Sequence, residues 1–212
     1  MEKQGEIVWD DIKVYSYFET LKRKYDVTGD VKFVTHTGRT IYFKSQYCNW
    51  SMNTDFTVAQ FKEAVAEGKE TMDPAWNSGL IYCSDNGVGK KYLEVDISEQ
   101  KVYLIENEEE VFVTDCVTGV PDGIHDTIRG VYQIQYKSSP SILIDEDKTY
   151  EQEVNYWLPF NGTQGLHDAT WRVNFGGDIY LTNGSHGCVN LPLESAERIY
   201  KEVYMFYPVV VY

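Results

Sequence analysis

Residues 184–192 read GSHGCVNLP and set His186, Gly187 and Cys188 side by side. Such a stretch is a reactive cysteine, part of a metal ligand set, or a tight turn holding an inert thiol. Upstream, TQGLHDATW carries His167, with 17 residues between it and Ser185. The intervening WRVNFGGDIYL supplies enough chain for a turn and a returning strand, which would bring His167 back beside Cys188. Acyl transfer by cysteine needs a thiolate, an imidazole to take its proton, and N–H donors for a developing oxyanion. Gly187 removes a side chain next to the sulfur, so the N–H groups of Gly187 and Cys188 are free to face a carbonyl. In an extended strand His186 shares a face with Cys188. Side chains two apart project in parallel and seldom meet, so an imidazole from a neighbouring strand is better aimed. His167 is therefore the expected base and His186 its support, with a lowered Cys188 pKa as the expected sign. A zinc site from His167, His186 and Cys188 lacks a clear fourth ligand, because Asp168 neighbours His167.

The 212 residues allow one large domain or two small ones. Aromatics at 15%, including 17 Tyr, favour strands over helical bundles. A charged fraction of 25% speaks against global disorder. The formal charge of −14 and the lack of a Lys/Arg stripe argue against nucleic-acid binding and for solubility. No stretch approaches the roughly 18 apolar residues of a membrane span. The start, MEKQGEIVWDD, is not a signal peptide. Either the chain works in the cytosol or an export segment precedes it. None of Cys48, Cys83, Cys116 and Cys188 forms a CxxC pair, which removes support for a zinc ribbon. A disulfide between Cys48 and Cys83 stays open.

Val14, Phe18, Leu21 and Tyr25 at helical spacing predict a helix over 12–25. DVKFVTHTGRTIYFKSQY predicts two strands around a turn near Gly38. In NTDFTVAQFKEAVAEG, Thr57 and Gln60 fit a capping box, Val58, Phe61 and Val65 form an apolar stripe, and Gly68 marks the stop. A Gly-rich loop then suggests a domain boundary near Gly89, giving domains 1–89 and 90–212. Beyond it KKYLEVDI alternates, QKVYLIEN and EVFVTDCVTG form a hairpin across an acidic turn, RGVYQIQY is a strand, LESAERIYKEVY a helix and PVVVY a last strand. The expected class is α+β: a small mixed α/β domain, then a β-rich, sandwich-like domain with one late helix.

His167, the gap and SHGCVN at 185–190 resemble the signature of the YkuD-type L,D-transpeptidases, which cross-link bacterial peptidoglycan. YLEVDISEQKVYLIENEEEVFVTDCVTGV resembles the opening strands of that family, and GLHDATWRVNFGG its His-bearing segment. Residues 1–90 are similar to the mixed α/β domain preceding the catalytic domain in Gram-positive members, here a peptidoglycan-binding or accessory domain. The resemblance implies Cys188 as nucleophile, and His167 as base oriented by the Asp168 carbonyl. It gives His186 a supporting role, Gly187 and Cys188 the oxyanion N–H groups, and Ser185 and Asn190 the upkeep of the motif. It implies stem peptides as substrates, carbapenem-type β-lactams as covalent inhibitors, no metal or organic cofactor, and export with an anchor or signal ahead of residue 1. Arg is frequent in the family where Asn190 stands, and Pro where Ile128 stands. Arg172 is a candidate for a substrate carboxylate or a structural ion pair. Tyr150, Tyr156 and Trp157 would wall the site or simply pack. His36 and His125 read as loop residues without chemistry. Rival functions are a cysteine carboxypeptidase with water as acceptor, a non-catalytic wall-binding module, and a zinc hydrolase.

Overall fold

The computed structural model describes residues 7–26, 31–43, 51–78, 88–144 and 151–212. Cys48, Cys83 and Tyr150 lie outside them. In chain order the elements begin α1 (Asp11–Tyr25), β1 (Val31–Val34), β2 (Thr40–Phe43), β3 (Ser51–Met52), α2 (Thr54–Ala66) and β4 (Trp76–Ser78). Then come β5 (Lys91–Asp96), β6 (Lys101–Glu106), β7 (Glu109–Asp115), β8 (Gly130–Gln133), β9 (Ser141–Ile144), β10 (Glu151–Val154), β11 (Trp157–Asn161) and β12 (Gln164–Asp168). The last are α3 (Tyr180–Asn183), β13 (Val189–Leu191), α4 (Leu193–Glu202) and β14 (Pro208–Val211).

The chain divides into two units, Met1–Gly29 with Asn49–Ile81, and Asp30–Cys48 with Tyr82–Tyr212. This interleaving differs from a single cut near Gly89, because the β1–β2 hairpin belongs to the second unit.

In the first unit, Asp10 caps α1 by accepting the Lys13 N–H at 3.1 Å, and Lys22, Arg23 and Lys24 sit at its negative end. Of the expected stripe only Phe18 is buried; its ring meets Phe61 of α2 edge-on at 5.3 Å, while Tyr25 is exposed. The helix α2 starts a turn earlier than a Thr57 capping box requires. Asn53 is the cap, accepting the Phe56 N–H at 3.1 Å, and Thr57 is buried against Ala75. Gly68, at φ +71°, follows the end of α2.

The second unit holds a five-stranded sheet, ordered β7-β6-β5-β14-β8, and a three-stranded sheet, ordered β11-β12-β13. In the first, only the β5–β14 pair is parallel; in the second, only β12–β13. Asn107 and Glu108, both at positive φ, make the tight β6–β7 turn. Leu93, Val95, Val102 and Leu104 of the large sheet pack with Leu166, Val189 and Leu191 of the small one and with Ala196 and Ile199 of α4. The core thus lies between two sheets. A 3-10 turn at Gly177–Ile179 and the short α3 supply the crossover that a parallel β12–β13 pair requires, a helix beyond the single late one expected.

The strand β5 is buried on both faces, not one. The β1–β2 hairpin covers its outer side. Phe33 meets Tyr92 edge-on at 5.8 Å, and Arg39 reaches Asp96 at 2.8 Å. Glu94, fully buried, accepts the His36 N–H at 2.9 Å and the Tyr212 hydroxyl at 2.5 Å, and lies 2.8 Å from His36 Nδ1. His36 is thus a structural partner for a buried carboxylate. Removing one member of such a set leaves the other stranded, at a cost of about 3 kcal/mol. His36→Ala is expected to lower the melting temperature by roughly 6–12 °C. Thermal unfolding checks this; a change within about 2 °C contradicts it.

Candidate active site

The parallel register sets Leu166 opposite Val189, His167 opposite Asn190 and Asp168 opposite Leu191. Cys188 directly precedes β13, two residues before Asn190, the register partner of His167. The half-buried sulfur sits at the start of β12, where it donates to Thr163 O at 3.5 Å.

His167 is buried, with ring centroids of Trp157 at 5.8 Å and Trp171 at 5.9 Å. Its Nδ1 lies 2.9 Å from the Asp168 carbonyl oxygen. A carbonyl only accepts, so Nδ1 carries the proton and Nε2 keeps its lone pair. The Asp168 carboxylate has another task. It accepts the N–H groups of Asn155 and Tyr156 and the Asn155 side-chain amide, all at 2.8 Å, and so ties the β10–β11 connection to β12.

Burial pulls the His167 imidazole down to about 4, against the opposing bond to Asp168. Burial also pushes the Cys188 thiol up to about 11, with the Gly165 N–H pulling the other way. Both groups are therefore neutral at pH 7. The lowered thiol pKa expected from the sequence is not found, because desolvation outweighs the single N–H donor.

Ser185 Oγ donates to Cys188 O at 2.5 Å and accepts the Gly187 N–H at 3.1 Å. The Gly187 N–H, expected to face an oxyanion, is thus turned into the motif, leaving the Cys188 N–H for that task. Gly187 has φ +114°, and a Cβ there would meet Gln164 Nε2 at 2.5 Å, so only glycine fits. Asn190 bridges to Val117 through both backbone groups at 2.9 Å. Arg172 donates to the carbonyls of Asn183 at 2.7 Å and Gly184 at 3.2 Å, clamping the end of α3 just before the motif. Trp171, Arg172, Ile179 and Asn183 line an open cavity of about 460 Å³. His186 is exposed and turned to the loop between β7 and β8, its ring 4.8 Å from that of His125.

Sequence reasoning missed Thr127, whose hydroxyl donates to Gly187 O at 2.8 Å and accepts the Gly119 N–H at 2.9 Å. It also missed Gln164, which donates to Asp126 O at 2.8 Å and accepts the Ile128 N–H at 3.1 Å. Neither carries a local signal, since each acts on residues distant in sequence. Tyr156 packs against Tyr200 at 5.2 Å, away from the imidazole that Trp157 covers. Cys116 is a free, buried thiol, pushed up by desolvation. Among the described residues no group of three or more His, Cys, Asp or Glu is placed to hold a metal ion, and no helix is long and apolar enough to cross a membrane.

A β-rich domain with a buried histidine on one strand of a parallel pair and a cysteine directly ahead of the other has the architecture of a transpeptidase catalytic domain. The chain belongs to the L,D-transpeptidase family, whose catalytic-domain model (YkuD) matches residues 90–211. Its structure is similar to that of a cysteine-to-serine mutant of the Enterococcus faecium L,D-transpeptidase, with a TM-score of 0.75 and 28% identity over 100% of this chain and 86% of that one. The isolated catalytic domain from E. faecium matches with a TM-score of 0.53 and 35% identity, over 57% of this chain and 96% of that one. The same domain acylated by ertapenem matches with a TM-score of 0.53 and 34% identity, over 58% of this chain and 97% of that one. No match was found among curated proteins.

Proposed function

We propose that the chain forms 3→3 cross-links in peptidoglycan by acyl transfer through Cys188. The observation that supports this reading is the parallel β12–β13 pairing, with His167, protonated at Nδ1, on one strand and Cys188 directly ahead of the other. In the first half-reaction the sulfur attacks the amide carbonyl before the terminal D-alanine of a tetrapeptide stem. The thiol proton passes to His167 Nε2 as the S–C bond forms, since the resting thiol is neutral. The Cys188 N–H receives the developing oxyanion. The C–N bond then breaks, the proton goes to the departing D-alanine amine, and a thioester remains. In the second half-reaction an amine on a neighbouring stem takes the acyl group. Ser185, Arg172 and Thr127 hold the motif; the cavity beside Trp171 is the place for a stem.

On this reading the protein acts outside the membrane, and the first unit is accessory. Mass spectrometry of products from purified tetrapeptide stems is the test. A dimer formed with loss of one D-alanine is expected; tripeptide alone means a hydrolase, and neither product overturns the reading. The same thiol should open a strained lactam; the similar catalytic domain from E. faecium is acylated by ertapenem. Carbapenem exposure is expected to add one adduct, on the peptide holding Cys188. An adduct on Cys116, or none, counts against it.

A further inference from the structure

The loop between β7 and β8 carries a cluster that the steps above do not use. One oxygen of Asp122 accepts the N–H groups of Ile124 at 2.9 Å and His125 at 2.8 Å, and the other lies 2.7 Å from His125 Nδ1. These bonds, the His125 N–H first, hold the Asp122 carboxyl well below the usual carboxylate range. The ring held in this way lies against that of His186, with centroids 4.8 Å apart and planes at 35°. His186 is two residues from the sulfur.

The loop is pinned to the cysteine motif on both sides of His125. Before it, Gly119 is so close that a Cβ there would stand 1.8 Å from the His125 carbonyl oxygen and 2.9 Å from Gly187 Cα. After it, Gln164 holds Asp126 and Ile128, and Thr127 holds Gly187 O. A histidine that merely decorated a turn would not need its backbone fixed to the residues flanking the thiol. The titratable groups facing the His125 ring are Asp122 and His186; the Asp126 carboxylate is turned to the Gly123 N–H at 2.6 Å.

We propose that His125, clamped by Asp122, is a positioning residue for His186, and that the pair serves the second half-reaction, release of the acyl group to its acceptor. The inference rests on the acyl-transfer reading above. His167 is buried with the rings of Trp157 and Trp171 beside it, whereas His186 is exposed and so open to an incoming acceptor. In the release step the acceptor nitrogen bonds to the thioester carbon and the C–S bond breaks. The acceptor's proton passes to the His186 imidazole and on to water. The sulfur leaves as thiolate and regains a proton from water by way of His167. One proton is lost and one gained, so charge balances.

The test uses the whole chain, a thioester of the stem tripeptide as acyl donor, and an amine as acceptor. The burst of released thiol reads acylation of Cys188; the steady state reads release. Asp122→Asn and His125→Gln are expected to leave the burst rate within about twofold, to slow release about tenfold and to alter its pH profile, with Asp122→Glu restoring part of the rate. Unchanged release with superimposable pH profiles overturns the proposal. Equal slowing of burst and release also overturns it, since that marks a loosened loop. A wild-type protein that gains no acyl adduct on Cys188, read by intact mass after an acid quench in the absence of acceptor, sinks the acyl-transfer reading itself, and the inference with it.

Discussion

Cys188→Ala is expected to reduce cross-linking to background, a loss of about 10⁴-fold or more, with the fold intact. The sulfur makes a long bond to Thr163 O, and its removal leaves the turn's own bonds from Ser185 in place. The melting temperature should move by no more than about 2 °C. Turnover on stem peptides and thermal unfolding are measured on one preparation. A folded Cys188→Ala protein that still cross-links removes cysteine from the mechanism. Cys116→Ala serves as control, because that thiol is fully buried in the apolar core and should affect packing alone.

The second large effect belongs to His167. His167→Gln should slow acylation by about 10²–10⁴-fold, the usual contribution of a positioned base. It should also change the pH dependence of stability. Burial holds the folded imidazole at about 4, below its ordinary 6.5. A group held below its unfolded value contributes stability that is present above pH 6.5 and is lost as pH falls through 4. The loss amounts to about 3 kcal/mol. Carboxylates titrate in the same window in both proteins, so the difference between wild type and His167→Gln isolates the imidazole. Wild type should lose more stability than the variant between pH 7 and 4. Parallel curves would mean that the ring is solvated. If His186→Gln instead causes the larger loss of acylation, the two imidazoles exchange roles.

Much of this was legible in the sequence, for identifiable reasons. A glycine beside a cysteine, with histidines at fixed offsets, is a local pattern, and strands with alternating or β-branched residues announce themselves. The β1–β2 turn at Gly38 and the β6–β7 hairpin were readable for the same reason. Other features depend on residues far away in the chain. Alternation in β5 suggested one buried face, and nothing near Glu94 says that His36 will cover the other. The Thr57 capping box was outcompeted by Asn53, whose side chain already satisfies the first free N–H of α2. The thiol pKa was misjudged because residue type suggested an activating imidazole, while burial keeps both partners neutral. His125 looked idle although the Asp122–x–x–His125 spacing was visible. Its ring gains a role only once Gly119 and Gln164 bring its loop to the cysteine motif.

The carboxylate of Glu94 also constrains the order in which the second unit can fold. One partner, His36, lies 58 positions upstream, and another, the Tyr212 hydroxyl, 118 positions downstream. As the chain emerges from the ribosome, the hairpin is made before the strand it covers, but the tyrosine comes last. Until β14 pairs with β5, a compact state would have to bury the Glu94 side chain without the Tyr212 hydroxyl or leave the strand open to solvent. Closing so long a loop is slow, and open strands invite wrong pairing meanwhile. The rate-limiting event in refolding should therefore be docking of the C-terminal strand, and Tyr212→Phe should slow that docking more than any substitution in the β6–β7 hairpin.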